Sequence, residues 1–203
     1  MDYVCRGHRN ALGNPRTATP FPKPDTYSPS SYLKYRVNNS TTSRQMSASR
    51  LLLPPYTLQT ALQKVKLAQK AWNTRDPAHV SLNYTPDTIW RNRDTFLRGR
   101  EEVVKFLTKK WEREHFYVLR KELFAFKDEK IAVQFFYEWN EKADGTGQWF
   151  RTYGLEDWTF DRETGLMRKR AMSGNDVRIE EEERWFKRGV DYVEGVEIGD
   201  RDL

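Results

Sequence analysis

The pattern of hydrophobic residues changes its period near residue 115, and this change restricts the chain to an α+β fold. Before that point, Val103, Phe106, Leu107 and Trp111 recur at the spacing of one helix face. After it, apolar and polar residues alternate, as they do in half-buried strands. The pattern predicts a helix over residues 100–114 and strands over residues 116–126, 131–140, 148–160 and 166–175.

Two more helices and a short strand are predicted ahead of residue 100. Thr57 is a suitable N-cap for an apolar stripe that continues to about residue 74. Asp76 followed by Pro77 starts a second, short helix, and Pro86 ends it. Residues 89–93 form the short strand. Helices followed by a meander of antiparallel strands are typical of α+β domains with the helices on one sheet face.

Charge and composition divide the chain into three parts. Residues 1–50 hold 8 of the 35 Lys and Arg and 2 of the 29 Asp and Glu, so the net charge of +6 lies entirely within them. Many prolines and few apolar residues predict a disordered basic segment over residues 1–53. A transit peptide over residues 1–45, or a gene-model extension before Met46, is the alternative. A domain over residues 54–187 and a loose acidic tail over 188–203 complete the prediction.

Several functional classes are disfavoured by the same counts. Cys5 is the only cysteine, which excludes an internal disulfide framework and fits a cytoplasmic protein, or a mitochondrial one if residues 1–45 are a transit peptide. His8, His79 and His115 lack the spacing of metal ligands, so we expect no metal and no cofactor. No apolar run reaches membrane-spanning length. The charge of residues 51–203 is balanced, which argues against nucleic acid as a partner.

Five stretches of the sequence carry a resemblance to a known superfamily. They are AWNTRDPAHVSLNYTPDTIWRNRDTFLRGREE, LRKELFAF, IAVQFFYEW, QWFRTYGLEDWTF and GLMRKRAMSGNDV. Together they resemble the nuclear transport factor two-like superfamily, which includes ketosteroid isomerase, scytalone dehydratase and SnoaL-type polyketide cyclases, and within it a small family of unassigned function. The resemblance implies a cone-shaped α+β fold in which three N-terminal helices pack on a curved antiparallel sheet around an apolar pocket.

The resemblance also implies positions for pocket residues. Compared with ketosteroid isomerase, Arg91 takes the place of the catalytic base, Glu156 that of a second carboxyl group and Tyr84 that of a pocket tyrosine. An arginine cannot accept a proton at physiological pH. Carbon-acid isomerisation of that type is therefore not implied.

Charged residues on predicted interior strand faces define the candidate site. Burial of a single charge is costly unless the charge is paired, so these residues are expected to converge. Gly154 is expected to leave space above the sheet for a pocket. We predict Glu156, Arg91 and Glu122 as catalytic residues, and Arg170, Tyr84, Trp72, Trp111, Tyr137 and Trp158 as ligand-binding residues. The alternative is a buried ion-pair network that only stabilises the fold.

These observations favour a domain that binds a small organic molecule, with an anionic one suited to the two arginines. It would be either a cofactor-independent acid–base enzyme of isomerase, dehydratase or cyclase type, or a non-catalytic binder. A dimeric interaction module is the third alternative. Phe136, Trp149 and Tyr153 are predicted on the outer sheet face, and large exposed aromatic residues there would support a homodimer.

Overall fold

A computed structural model describes residues 52–199; residues 1–51 and 200–203 lie outside the described part. The expectations for the basic segment therefore fall almost wholly outside it. Within the described residues, no helix is long and apolar enough to cross a membrane. The elements are α1 (Leu58–Asn73), α2 (Pro77–Ser81), β1 (Tyr84–Asn92), β2 (Thr95–Arg98), α3 (Gly99–Arg113), β3 (His115–Lys127), β4 (Lys130–Asn140), β5 (Trp149–Phe160) and β6 (Met167–Ile179).

The predicted caps start the first two helices. Thr57 and Thr60 form a capping box, in which each side-chain hydroxyl accepts a hydrogen bond from the other residue's backbone N–H. Asp76 accepts from the backbone N–H of His79, with Pro77 in the first turn of α2. The predicted end of α2 at Pro86 is wrong. The helix ends at Ser81 because the chain from Tyr84 onward pairs with β6 instead of continuing the helix.

The six strands form one curved, unclosed sheet in the order β2-β1-β6-β5-β4-β3. Neighbouring strands are antiparallel except β1 and β6, which are parallel, so the prediction of a wholly antiparallel sheet needs this correction. Strand β2 was not predicted. It forms a hairpin with β1 through a tight turn in which Arg93 has a positive φ of 58°.

The main hydrophobic core lies between one sheet face and the helices. α1 contributes Val65 and Trp72, α3 contributes Val103 and Leu107, and the sheet adds a dense set of aromatic residues. The aromatic residues of the sheet in this core are Tyr84, Trp90, Tyr117, Phe135, Tyr137, Trp139, Trp158 and Phe160. Rings of this size bury large apolar areas, which offsets the low apolar content of the chain.

The outer sheet face is covered by residues 180–199, here called the C-terminal segment. It contains two 3-10 helices, Glu181–Glu183 and Val190–Gly195, and it buries Phe186 and Val193 against Val118 and Phe136. Up to residue 199, this segment is docked and not a loose tail, since its apolar side chains have a sheet surface to cover. Two of the three aromatic residues predicted to form an exposed dimer surface, Phe136 and Trp149, are therefore buried within the chain.

Candidate functional site

Three charged side chains meet in the core and form what we call the buried ion cluster: Glu156, Lys121 and Arg170. Oε1 of Glu156 accepts hydrogen bonds from Lys121 Nζ at 2.9 Å and from an Arg170 guanidinium nitrogen at 2.7 Å. The Trp158 indole N–H donates to the other carboxylate oxygen at 2.5 Å. All three charged side chains are almost completely inaccessible to solvent. The pairing of Glu156 with Arg170 was predicted from strand alternation, whereas Lys121 was not.

Aromatic faces balance the excess positive charge of the cluster. One carboxylate faces two cations, and no second carboxylate contacts either cation among residues 52–199. The Arg170 guanidinium instead lies 4.8 Å from the ring centre of Trp72 and 4.6 Å from that of Trp90. Lys121 Nζ lies 5.0 Å from the Phe135 ring centre. The negative faces of aromatic rings attract cations, and this attraction is stronger where water is excluded.

The pKa values follow from these contacts. Burial acts to raise the pKa of Glu156, but the charges and hydrogen bonds of Arg170 and Lys121 outweigh it and lower the pKa to about 2. Burial lowers the pKa of Lys121 to about 8, although Glu156 acts in the opposite direction. A general base works best with a pKa near the operating pH. Glu156 is therefore a poor base at neutral pH, and Lys121 is the better matched group.

We expect the free energy of unfolding to depend on pH at both ends of the scale. As pH falls from about 4.5 to about 2, the unfolded chain protonates Glu156 before the folded protein does, so stability falls. Between about pH 8 and 10, the unfolded chain keeps the Lys121 proton that the folded protein has lost, so stability rises. Urea unfolding measured across these two pH ranges tests the acid fall and the alkaline rise in stability. Lys121→Met should reduce the alkaline rise, and a flat wild-type profile from pH 8 to 10 would contradict the assignment.

The remaining predicted residues divide into walls of the interior and residues elsewhere. The Trp72 indole donates to the Tyr84 hydroxyl at 3.2 Å, and Lys110 donates to the Tyr137 hydroxyl at 3.2 Å. Trp111 packs edge-on against Trp72, with ring centres 6.0 Å apart. Tyr84 lies on β1 and not on the second helix, yet it is buried beside Trp72 as expected for a wall residue.

Arg91 does not join the cluster. Trp90 and Asn92 share one face of β1: Trp90 is buried in the core, and the Asn92 side-chain oxygen accepts a hydrogen bond from Arg170 at 3.0 Å. Arg91 lies between them in sequence and therefore on the opposite face. Its guanidinium donates to the Met172 carbonyl and to the Ser173 hydroxyl, each at 3.1 Å. The predicted convergence of Arg91 with Glu156 and Arg170 is therefore correct only for the latter two residues.

Glu122 also lies outside the interior. Its half-exposed carboxylate pairs with Lys66 at 3.4 Å and with Arg120, on the face that carries the C-terminal segment. Its neighbour Lys121 occupies the interior position instead. The geometry gives Glu122 no access to Glu156.

The interior beside the cluster is almost completely filled. The cavity lined by Trp72, Tyr137, Glu156 and Arg170 has a volume of about 10 Å³, which is room for about one water molecule. The expected space above Gly154 is occupied by Phe135, whose ring would come within 2.1 Å of a Cβ at residue 154. The cluster thus has the geometry of a buried ion-pair network rather than of an open pocket.

A larger cavity opens on the other side of Trp158. It has a volume of about 370 Å³ and lies between α1, the α2 region and the ends of β5 and β6; we call it the α1 cavity. Trp158, Phe160 and Met167 form an apolar wall, and Lys64 and Lys70 approach from α1. Its lining residues are Lys64, Leu67, Ala68, Lys70, Ala71, Thr74, His79, Asn83, Trp158, Phe160 and Met167.

Lys64 is the most distinctive polar group of the α1 cavity. Its Nζ donates to the Gly165 carbonyl at 2.8 Å and lies 5.2 Å from the Phe160 ring centre. Burial lowers its pKa to about 8. The sequence gives one indication that Lys64 is partly buried: it directly precedes Val65, which lies on the apolar stripe of α1. That signal does not distinguish a cavity lysine from one that extends into solvent.

Other concave regions offer less to a ligand. A cavity of about 290 Å³ lies within the C-terminal segment itself, where the Arg188 guanidinium stacks on Tyr192 at 3.7 Å. A shallow depression beside Trp149 is lined by the acidic residues Glu180–Glu182 and Glu141. Among residues 52–199, no cluster of His, Cys, Asp and Glu is arranged to hold a metal ion.

Comparisons with known proteins place this fold. A family model described as a protein of unknown function (DUF1348) matches residues 54–187. No curated protein matches the chain. Among solved structures, the epoxide hydrolase/cyclase-like enzyme SalBIII, which has a role in pyran ring formation in polyether salinomycin, is similar at 15% identity and a TM-score of 0.50. This match covers 58% of the present chain and 92% of SalBIII.

Two further structures are similar at slightly lower scores. A protein described as a SnoaL-like polyketide cyclase from Shewanella denitrificans OS-217 is 17% identical with a TM-score of 0.49, covering 56% of this chain and 89% of its own. An NTF2-like protein of unknown function from Burkholderia pseudomallei K96243 is 19% identical with a TM-score of 0.49, covering 57% and 90%. At such identities the similarity concerns the fold alone. Because the family model spans more than half of the residues, the chain belongs to the family of proteins of unknown function (DUF1348).

Proposed function

We propose that this domain binds a small organic anion with an apolar body in the α1 cavity. The observation that carries the proposal is the lining of that cavity, which combines an aromatic wall with lysines and contains no acidic residue. Its volume of about 370 Å³ lies within the range of small-molecule sites, which begin at about 300 Å³.

The two kinds of lining residue suit the two ends of such a ligand. Trp158, Phe160 and Met167 would cover an aromatic or aliphatic body, which is the larger part of the binding free energy of small ligands. Lys64 and Lys70 would pair with a carboxylate. Since Lys64 bonds only to a backbone carbonyl among the described residues, a ligand carboxylate has no protein carboxylate to displace.

The buried ion cluster would support this site from behind. Trp158 belongs to both features, because its indole N–H is fixed by Glu156 and its ring lines the α1 cavity. A fixed ring presents a preformed surface, which lowers the ordering cost of binding. In this proposal Glu156, Lys121 and Arg170 are positioning residues.

Binding of 4-methylbenzoate tests the proposal. We expect saturable quenching of tryptophan fluorescence, with weaker binding of the uncharged 4-methylbenzamide. Lys64→Met should raise the dissociation constant roughly tenfold to hundredfold, because a charged hydrogen bond contributes about 1.5–3 kcal/mol. Lys109→Met, which changes an exposed lysine of α3, is the matched control and should leave affinity unchanged. Equal affinity for the acid and the amide would contradict the proposal.

A cofactor-independent acid–base enzyme acting in the domain interior is the second candidate. The observation that favours it is Lys121, a buried amine with a pKa of about 8 beside a carboxylate. This candidate requires the 10 Å³ interior cavity to enlarge around a substrate. An amine-labelling reagent tests whether the interior opens. Labelling of Lys121 in the free protein that a bound small molecule then prevents would support this candidate. If Lys121 stays unlabelled both with and without small molecules, the interior does not open and the candidate is contradicted.

Other expectations stay predictions. They are the disordered basic segment over residues 1–53, the domain limits 54–187, the cone shape with three N-terminal helices, a cytoplasmic location and a homodimer. A dimer through the outer face would have to use its uncovered part, where Leu155 and Phe124 are exposed, because Phe136 and Trp149 are covered. Light scattering at micromolar concentration measures this directly.

A further inference from the structure

We propose that Lys64 is a reactive amine that forms a reversible imine with an aldehyde or ketone carried by an anionic ligand of the α1 cavity. This inference rests on the proposed binding function and adds a covalent step to it. It assigns a chemical role to the one side chain of the cavity that is both half-buried and cationic. The exposed Lys70 would pair with the ligand's carboxylate.

The position of Lys64 is fixed from both ends. Its backbone belongs to α1, and its Nζ donates to the Gly165 carbonyl at 2.8 Å. No carboxylate of residues 52–199 lies within 4.0 Å of this nitrogen. The amine is therefore held at the cavity wall by a neutral acceptor, and it takes part in no ion pair of the kind that Lys66, Lys110 and Lys121 form.

The turn that carries Gly165 is itself well ordered by hydrogen bonds. Oδ1 of Asp161 accepts from the backbone N–H of Thr164 at 2.8 Å and from its hydroxyl at 2.7 Å. The Gly165 N–H donates to the Asp161 carbonyl at 3.0 Å, and φ of Gly165 is +66°, a conformation that glycine adopts readily. The acceptor for Lys64 thus has a defined place beside Phe160 and Met167.

Burial of Lys64 favours the neutral amine, which is the nucleophile. With a pKa of about 8, the neutral fraction at pH 7 is on the order of a hundred times that of an ordinary lysine. Lys121 has a similarly lowered pKa, but Glu156 and three aromatic rings enclose it. Lys70 lies on the surface. Among residues 52–199, only Lys64 combines a lowered pKa with a position in an open cavity.

The step is balanced by the groups present. The nitrogen lone pair attacks the carbonyl carbon, a C–N bond forms, and a proton passes from nitrogen to the carbonyl oxygen. Loss of water from this carbinolamine gives the C=N bond of the imine. Water reverses the reaction, so no oxidant or reductant is consumed.

Trapping with 4-carboxybenzaldehyde and sodium borohydride tests the inference on the full-length protein. Borohydride reduces the imine to a stable secondary amine, and peptide mass mapping locates it. We expect Lys64 to be modified at an initial rate about tenfold or more above that of any other lysine, given its larger neutral fraction. The rate should rise with pH to half its maximum near pH 8, and 4-methylbenzoate should compete.

Two substitutions test the assignment to Lys64. Lys64→Arg replaces the amine by a guanidinium and should lose the dominant adduct. Lys109→Arg, which changes an exposed lysine of α3 outside the cavity, should keep the adduct at Lys64. Even labelling of many lysines in the wild-type protein, with 4-methylbenzoate binding intact, would overturn this inference alone. Failure of 4-methylbenzoate to bind at all would overturn the proposed function as well.

Discussion

Replacing Glu156 by glutamine is expected to lower the free energy of unfolding by about 3–5 kcal/mol, the range for breaking a buried ion pair by removing one partner. The substitution preserves shape but leaves Lys121 and Arg170 in the core with no anion. Lys121 can release its proton, because burial has already lowered its pKa to about 8. Arg170 cannot, so the unpaired guanidinium accounts for most of the loss. Urea unfolding at pH 7 measures the change.

Glu122→Gln is the matched control for this experiment. Glu122 is adjacent to Lys121 in sequence and also carries ion pairs, but its side chain is about one-third exposed. Its loss should cost less than about 1 kcal/mol. Adding Lys121→Met to Glu156→Gln should restore part of the stability, since it removes one of the two buried cations. A loss below about 1 kcal/mol for Glu156→Gln would show that the cluster is not paired as described.

Replacing Glu138 by alanine is expected to release the C-terminal segment from the sheet. The buried Glu138 carboxylate accepts hydrogen bonds from the backbone N–H groups of Trp185 and Phe186 at 2.8 and 3.0 Å. It also pairs with Arg151 at 2.8 Å. Removing it leaves two backbone N–H groups without their acceptor and the buried Arg151 guanidinium without its carboxylate partner, a loss of about 3–5 kcal/mol. Trypsin should then cleave the protein rapidly after Arg184 and Lys187.

Glu181→Ala provides the control in the same segment. Glu181 pairs with Arg184 at 3.2 Å, but its side chain is 63% exposed, so its removal should change stability by less than about 1 kcal/mol. Its trypsin pattern should match the wild type. Unchanged protease resistance of Glu138→Ala would show that the apolar contacts of Phe186 and Val193 hold the segment without the carboxylate.

Strand alternation predicted which charges face inward where the strands are regular. Glu156 and Arg170 are both buried, and both lie in the part of the β5–β6 pair that keeps a regular register, from Trp149–Ile179 to Thr159–Lys169. Strand β3 is different, because its pairing with β4 shifts between Leu123 and Ala125. The prediction placed Glu122 on the interior face, in phase with Phe124 and Phe126, and so assumed regular alternation through that bulge. The true interior position is Lys121, in phase with Leu119 and Leu123.

Arg91 shows a different limit of prediction from sequence, because two lines of reasoning disagreed about which face of β1 it occupies. Alternation with the buried Trp90 assigns it to the outer side of β1, but the superfamily resemblance suggested an interior place. Neither strand alternation nor the superfamily resemblance could predict that the interior beside the buried ion cluster is almost completely filled. Alternation gives the face of a side chain, whereas the space above Gly154 depends on how far the ring of Phe135 reaches across from β4.

On the outer sheet face, the aromatic residues were predicted to be covered by a second copy of the chain, but the C-terminal segment covers them. Phe136 and Trp149 were correctly assigned to that face, and large apolar side chains there do need a cover. The cover comes from the same chain. Its apolar residues, such as Phe186 and Val193, are separated by charged ones, so they show no regular period that sequence analysis could detect.

The parallel pairing of β1 with β6 has a consequence for how the chain folds during synthesis. Strand β6 is the last of the six described strands to leave the ribosome, yet it lies between β1 and β5 in the finished sheet. Arg170 on this strand donates a hydrogen bond to Asn92, 78 residues earlier, and its guanidinium lies within 5 Å of the ring centres of Trp72 and Trp90. Contacts between such distant residues give a high contact order and slow folding. The nascent helices must therefore wait until β6 has left the ribosome before their apolar faces gain a complete sheet to cover.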